Sequence, residues 1–490
     1  MTGFPTDHEA ASGAFDVAVI GAGVVGCAIA RDLSAHQISV ALIDARDDVG
    51  DGTSKANTAI LHTGFDAPPG TLESRLVRRG YELLSHYAAE TGIPVEHTGA
   101  LLVAWTQEEL DALAGLRDKA AKNSYDRCEV VDADEVYRQV PALGPGALGG
   151  LTVPDESIIC PWTTTLAFAT EAAARGAELM LGRAVIGVTR GGDGGTVLHT
   201  HRGDIRARWV VNAAGLGADR VDSLFGHDRF TVTPRRGELL VFDKLARPLV
   251  DRIVLPVPSS RGKGVLVSPT IYGNVMLGPT AEDLQDRTET GTSEAGFEFL
   301  LGKGRTLMPQ LLEEEVTASY AGLRAAIDHG DYLIDLAAPE RYLLVGGIRS
   351  TGLTSAMAVG EHARELLQGA GLQLEPKPAL PEPPRMPNLG EAFERPYQDA
   401  QRIAEDSAYG HIVCHCERVT AGEIRDALSS ALPPAGLDGL RRRTRAMNGR
   451  CQGFFCGAEV ERLTSAHQAT PGARPPHTFH PSHASGESPR

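Results

Sequence analysis

Four of the seven cysteines in this 490-residue chain fall between positions 414 and 456. Cys414 and Cys416 form a C-x-C pair, and Cys451 and Cys456 form a C-x4-C pair, with 34 residues between the inner members. Seven cysteines in so long a chain are too sparse for a secreted disulfide scaffold, and thiols clustered in a reducing compartment point to metal. Four thiolates hold either a tetrahedral zinc or an iron–sulfur cluster. Zinc knuckles favour C-x2-C at both ends, and neither pair has that spacing.

The other chemistry begins near the N-terminus. An apolar run from Val17 to Ile20 ends at Gly21-Ala-Gly23-Val24-Val25-Gly26, and a helix-periodic segment follows. Glycines at that spacing permit a tight turn, approach of backbone to a pyrophosphate, and close packing of helix on strand. The helix N-terminus adds unpaired N–H groups, so the turn is an anion cradle. A lone G-x-G-x-x-G is weak evidence, but here a second strand ends in Asp44, where a carboxylate accepts hydrogen bonds from an adenosine ribose. Downstream, "ARWVVNAAGLGAD" runs a strand into Ala213-Ala214-Gly215, and "YLLVGGIRSTGLTSA" gives a strand, Gly346-Gly347, and Gly352 opening a helix. Three backbone approaches so far apart suit an extended FAD better than a single nicotinamide domain.

The stretches "GTSKANTAILHTGFDAPPGTLESRLVRRG", "RRGELLVFDK", "RGKGVLVSPTIYGNVMLGPTAED", "YAGLRAAIDHGDYLI" and "GGIRSTGLTSA" cover most of residues 15–370 in order. They resemble the FAD-dependent glycerol-3-phosphate dehydrogenases and oxidases of the D-amino-acid-oxidase-like superfamily. L-2-hydroxyglutarate dehydrogenases are similar in the first and last of these stretches. The segment "IVCHCERVTAGEIRDAL", with "GLRRRTRAMNGRCQGFFC" after it, resembles the BFD-like [2Fe–2S] domain fused to the large subunit of anaerobic glycerol-3-phosphate dehydrogenases.

That resemblance implies roles. His62 is placed beside the flavin, where its imidazole can take the proton of an alcohol whose hydride leaves for N5. Lys55 is a second catalytic candidate, as a base or as a stabiliser of anionic reduced flavin. Lys263, Arg324 and Ser350 fall where the glycerol-3-phosphate enzymes bind phosphate, a dianion suited to guanidinium, ammonium and hydroxyl donors. Cofactor contacts are implied at Gly21, Gly23, Val24, Val25, Gly26, Asp44, Thr53, Ser54, Asn57, Val185, Ala214, Gly215, Gly347, Gly352, Leu353 and Thr354. Cys414, Cys416, Cys451 and Cys456 become the ligands of a [2Fe–2S] cluster. One departure stands out: many relatives read His-Asn-Ser-Gly where this chain has Ala56-Asn57-Thr58-Ala59.

The expected reaction is oxidation of sn-glycerol 3-phosphate to dihydroxyacetone phosphate. A flavin takes two electrons at once and a [2Fe–2S] centre passes them singly, so the cluster favours a dehydrogenase feeding a partner protein or quinone, within a complex. Two alternatives remain: one component of a 2-hydroxy acid or amino acid dehydrogenase, and a non-catalytic flavin and iron–sulfur electron-transfer subunit.

Composition bounds these readings. With 42% hydrophobic residues the chain can bury a substantial core in two to four domains. A formal charge of −16 argues against nucleic acid, so an anionic substrate must meet a local basic pocket. No apolar run approaches the roughly 20 residues of a membrane span, and the N-terminus lacks a signal-peptide pattern. The expected location is cytoplasmic, or peripheral at the inner face of a membrane.

The elements that must position these residues read as α/β. A discontinuous Rossmann-type FAD-binding domain (about 14–83, 148–230 and 335–371) carries an α+β substrate domain (about 84–147 and 231–334). Residues 372–400 hold seven prolines; a linker over 372–408 precedes a small helical iron–sulfur domain at 409–465 and a disordered tail at 466–490. Within the iron–sulfur domain a capped helix is predicted from Thr420 to Ala431. Arg441, Arg442, Arg443 and Arg445 either offset cluster charge or line a solvated face. Arg235, Arg236 and Glu238 begin a substrate-domain strand at the pocket mouth, and Cys27, Cys128 and Cys160 read as small buried hydrophobes.

Overall fold

Phe15–Ile20 is almost wholly apolar and its last four residues are buried, as a strand covered on both faces by helices must be. In the computed structural model, which describes residues 14–192, 194–258 and 264–468, this strand is the centre of a parallel sheet. Val40–Ile43 pairs on one side of it and Ile205–Asn212 on the other, with Glu178–Met180 beyond the first and Tyr342–Gly346 beyond the second. Thr196–Thr200 and Val185–Arg190 extend the sheet as an antiparallel meander, and Leu333–Ala337 adds antiparallel to Tyr342–Gly346. The in-register pairs Ile20↔Ile43 and Ile20↔Asn212 bring the C-terminal ends of these strands to one rim. Gly21, Asp44 and Ala213 therefore follow one another along that rim, where open α/β sheets bind ligands.

The helices close on this sheet through small residues. A Cβ on Gly26 would collide with the Gly21 carbonyl, and one on Gly80 with the Thr354 carbonyl. The absent side chains let helix Val24–Leu33 seat on its turn, and let Leu72–Thr91 close against Gly352–Gly369. Helix Leu72–Thr91 thus runs eight residues past the boundary at 83 read from the sequence and still packs on the nucleotide side.

A second, nine-stranded sheet has Thr233–Phe242 paired with Val316–Ala326 over its length, followed by Val275–Gly278, Leu266–Pro269, Ile253–Pro256 and Ala100–Ala104. Its core includes Leu101, Val103, Leu240, Phe242, Val267, Leu277 and Leu300. Each such side chain, fully buried, contributes on the order of 2 kcal/mol. Gly149–Val153, placed with the nucleotide domain on sequence, pairs antiparallel with Ala100–Ala104 in this sheet. A short apolar run does not announce its partner. A third, small sheet joins Ile60–Leu61 and Val95–Glu96 to Ser157–Ile159.

The chain divides into two units between Arg395 and Pro396. The proline-rich segment up to Arg395 is laid along the first unit: Gln37 and Lys377 donate to Glu375 and Ala35 carbonyls, Met386 to Thr91, and Glu391 to Ile271. The second unit has two short strands, Ile412–Cys414 and Val419–Thr420, and helices Ala421–Leu428, Leu437–Thr444 and Gly457–Gln468. Thr420 and Glu423 form the expected capping box. The helix ends at Leu428, short of Ala431, because the Ser430 hydroxyl turns back to the Ala427 carbonyl and Pro433-Pro434 follows. The last helix reaches Gln468, into the stretch read as a tail; residues 469–490 lie outside the described ones. Among the described residues no helix is long and apolar enough to cross a membrane.

Candidate functional site

At the N-terminus of helix Val24–Leu33 the glycine turn makes a cradle. Gly21 has φ +109°, and a Cβ there would strike the Ala213 carbonyl, so the first and second predicted backbone approaches are in contact. The Ala22 N–H donates to Asp44 Oδ2 at 2.6 Å, and the Val24 N–H to Ser54 Oγ at 2.9 Å; Val25 follows in the first helical turn. A Cβ on Gly23 would sit 3.2 Å from Ser54 Oγ, a tight contact at this mouth. Burial pushes the Asp44 carboxyl above its ordinary range, against hydrogen bonds from the Arg46 and Ala22 N–H groups.

The remaining cofactor candidates frame the same rim. Thr53 Oγ1 donates to the Leu323 carbonyl at 2.8 Å, and Asn57 Nδ2 to the Ser54 carbonyl at 2.9 Å. Ala214 donates its N–H to Asn212 Oδ1, and Gly215 adopts φ +56°. Val185 is half-buried against the cluster that holds Ile20 and Ile43. Gly347 has φ +69°, and Gly352, Leu353 and Thr354 form the first turn of Gly352–Gly369.

His62 directly follows Ile60–Leu61, and its N–H donates to Thr354 Oγ1 at 2.9 Å, which ties it to that helix start. Its Nδ1 lies 3.0 Å from Glu156 Oε2, and its side chain is 18% exposed. Lys55 Nζ is 2.8 Å from Asp51 Oδ1, which gives the ammonium a carboxylate partner four residues back. Ala56 packs by its carbonyl against Gly322, so the loop at 53–57 rests on strand Val316–Ala326 at Tyr320, Gly322 and Leu323.

Arg324, next on that strand, is half-buried. One guanidinium nitrogen donates to the Thr280 carbonyl at 2.8 Å, and the absent Gly237 side chain leaves it room, a Cβ there lying 3.1 Å away. Asp283 is engaged by Arg235 in a fork of 2.6 and 2.9 Å. Among the described residues no carboxylate stands within ion-pair distance of Arg324. Burial, then the neighbouring Arg235, push its guanidinium below its ordinary value. Arg236 and Glu238 are buried structural charges, Arg236 paired to Glu282 and Glu289 and Glu238 accepting from Ser293. Ser350 is exposed, beside Thr351, whose hydroxyl is fixed by Glu73 and Tyr332. Lys263 lies outside the described residues.

Cys27, Cys128 and Cys160 are buried, and burial pushes the Cys128 thiol up to about 12. Cys160 also caps helix Pro161–Ala174 and meets the Tyr272 hydroxyl at 3.2 Å.

In the second unit the four remaining thiols form two neighbouring pairs. Cys416 neighbours Cys451, and Cys414 neighbours Cys456. Cys414 and Cys456 are buried, and burial pushes the Cys456 thiol up to about 12. Cys451 is held low, chiefly by the Phe455 N–H and further by those of Gly453 and Phe454. This nest of backbone donors forms because Gln452 and Gly453 take positive φ. Gly449 has no room for a Cβ beside Cys416. Among the described residues no three ligand side chains close around one ion. Two thiol pairs suit a two-iron cluster rather than a single zinc. Of the arginine run, Arg442, Arg443 and Arg445 are buried, with Arg443 donating to Leu432 and Gly439 carbonyls and Arg445 to Glu417, which excludes a solvated face for these three.

Residues 16–366 match the family described as FAD dependent oxidoreductase. The chain belongs to that family. Residues 412–465 of the oxidoreductase match the BFD-like [2Fe–2S] binding domain. The oxidoreductase is 35% identical to a glycerol 3-phosphate dehydrogenase of Caloramator mitchellensis, over 91% of this chain and 93% of that one. It is 27% identical to one subunit of the anaerobic glycerol-3-phosphate dehydrogenase of Escherichia coli K12, over 94% and 89%. A dithionite-reduced L-α-glycerophosphate oxidase of Mycoplasma pneumoniae with FAD bound superposes with a TM-score of 0.72 at 27% identity, covering 76% of this chain and 99% of that one. The resemblances and the α/β fold read from the sequence are borne out, and FAD and a [2Fe–2S] cluster are the cofactors.

Sequence reasoning missed several residues of this oxidoreductase. Glu156 meets His62 from 94 positions away, and Tyr332 braces Thr351 and Ser355 beside Ser350. Gly237, inside the quoted "RRGEL", makes room for Arg324. Only the last carried a signal, a glycine within a strand, which marks a close approach.

Proposed function

We propose that this oxidoreductase converts sn-glycerol 3-phosphate to dihydroxyacetone phosphate and hands the electrons through its cluster to a partner protein or quinone. The observation that carries the reading is Arg324: a guanidinium pressed into the protein, anchored by one carbonyl, with its nearest acid taken by Arg235. Such a group favours an anion, and a phosphate dianion answers it with forked hydrogen bonds. The likeness to glycerol 3-phosphate dehydrogenases supports the same substrate.

In this reading Arg324, Ser350 and Lys263 hold the phosphate, and His62 takes the hydroxyl proton. Gly21, Gly23, the helix start at Val24 and Val25, and Asp44 hold the pyrophosphate and ribose. Thr53, Ser54, Asn57, Val185, Ala214, Gly215, Gly347, Gly352, Leu353 and Thr354 line the rest of the cofactor path. Cys414, Cys416, Cys451 and Cys456 ligate the cluster. Bound FAD supplies the two-electron acceptor for the carbinol hydride, and the cluster supplies one-electron steps onward. Lys55, already paired with Asp51, steadies the loop that carries Ala56 and Asn57. We place the chain in a complex with electron-accepting partner proteins, cytoplasmic or peripheral at a membrane, in line with its likeness to the Escherichia coli dehydrogenase, whose matching chain is one subunit.

The test is anaerobic mixing of holoprotein with sn-glycerol 3-phosphate. Bleaching of the flavin absorbance with dihydroxyacetone phosphate formed is the expected result. A flavin that dithionite reduces and this substrate does not would overturn the reading and point to hydroxy acids or amino acids.

A further inference from the structure

Glu156 occupies the turn between Gly149–Val153 and Ser157–Ile159, and its side chain is 0% exposed. Among the described residues no lysine or arginine pairs with it. Its oxygens are nonetheless fully engaged: Oε1 accepts the Thr63 N–H at 2.7 Å and the Thr63 hydroxyl at 2.9 Å, and Oε2 faces His62 Nδ1 at 3.0 Å. A buried carboxylate is costly unless hydrogen bonds satisfy it, so its place beside one imidazole asks for a reason.

The turn itself is immobilised. Tyr81 donates to the Asp155 carbonyl, Tyr125 to the Asp155 carboxylate, and Arg127 pairs with that carboxylate. The ladder pair Leu61↔Ser157 fixes the two strands in register. His62 is therefore held by its N–H on Thr354 and by its ring on Glu156.

We infer that Glu156 is a positioning residue for catalysis: its carboxylate fixes His62 as the Nδ1–H tautomer and leaves the Nε2 lone pair free for the substrate hydroxyl proton. This inference rests on His62 being the proton acceptor in the function proposed above. The carboxylate accepts only, so the ring must donate from Nδ1. As the alcohol O–H breaks, an N–H bond forms at Nε2. Bound FAD would supply the oxidant that takes the carbinol C–H pair as hydride while the C–O bond becomes a carbonyl. Glu156 then faces an imidazolium, and the charge that appears meets one already in place.

Glu156→Gln tests this in the holoenzyme. The carboxamide keeps the shape, its oxygen accepts from Thr63, and its NH2 faces Nδ1, which forces the proton to Nε2. The limiting rate of flavin bleaching should fall about 100-fold or more while half-saturation, FAD content and thermal midpoint stay near wild type. Ring-15N histidine spectra, with His62 assigned from His62→Ala, should switch from Nδ1–H to Nε2–H. A purely structural Glu156 would leave rate and tautomer unchanged in Glu156→Gln, and either result overturns the inference. Should Glu156→Gln not fold, the wild-type tautomer decides, and an Nε2–H ring overturns it.

The controls separate this from the parent reading. Fast wild type, slow His62→Ala and fast Glu156→Gln overturn Glu156 alone. A fast His62→Ala, or a wild type that no secondary alcohol reduces, overturns both. A wild type reduced only by a hydroxy acid overturns the substrate, and the same fall in Glu156→Gln is then required with that acid.

Discussion

The backbone of Gly322 lies against the carbonyl of Ala56 so closely that a Cβ has no room between them. Strand Val316–Ala326 and the loop at 53–57 are thereby locked, with Thr53 on the Leu323 carbonyl and Tyr320 on the Asn57 carbonyl. Gly322→Ala must push the loop away from its strand. We expect a loss of about 1–3 kcal/mol of stability and a lowered FAD content, read from the flavin absorbance per chain. A variant that binds FAD normally and melts with wild type would show the contact to be slack.

Arg324→Ala removes the guanidinium that has no acid partner. Charge-assisted hydrogen bonds contribute about 1.5–3 kcal/mol, so half-saturation by sn-glycerol 3-phosphate should rise roughly 10- to 100-fold with FAD content unchanged. Loss of FAD in its place would assign Arg324 to the scaffold.

Cys451 sits in a nest of three backbone N–H groups beside Cys416. Cys451→Ser should abolish the visible absorption of the cluster and spare flavin bleaching by substrate, because the two cofactors belong to separate units. Cluster absorption that survives the change would refute the ligand assignment.

Asp331 accepts the N–H groups of Leu72 at 2.6 Å and Glu73 at 2.8 Å, at the start of the helix that backs the site. Burial raises its carboxyl, but the hydrogen bonds from Glu73, Leu72 and Tyr332 outweigh it and hold the group below 3.8. A depressed folded value gives stability that is full above the unfolded value and is lost as pH falls through the folded one. Asp331→Ala should cost about 1–2 kcal/mol at pH 7, and the gap to wild type should close below pH 3.8. Denaturant melts at both pH values decide it; an unchanged gap in acid would exclude the carboxylate as the cause.

Residues whose demands are local were legible in the chain. Gly21 and Gly26 announce a turn with no room for a side chain, and Thr420 with Glu423 announces a cap, because each constraint spans a few positions. The C-x-C and C-x4-C pairs were legible for the same reason, although spacing alone left zinc open, and it is the match of residues 412–465 to a [2Fe–2S] binding domain that decides for the cluster. Of the two readings left open for the arginine run, the solvated face fails for Arg442, Arg443 and Arg445, which the fold buries, Arg443 on carbonyls and Arg445 on Glu417.

By itself the sequence determined a dinucleotide turn, a set of four clustered thiols and the order of the elements that hold them, through glycine, cysteine and hydrophobic spacings short enough to act within one turn, strand or helix. Only the tertiary structure decided which acid meets which base. Glu156 reaches His62 because Ser157–Ile159 pairs with Ile60–Leu61, and Arg324 stands without an acid because the register of Thr233–Phe242 sets Arg235 against Asp283. Strand register is fixed by the burial of whole faces, and that is settled among all the strands together rather than at any one of them.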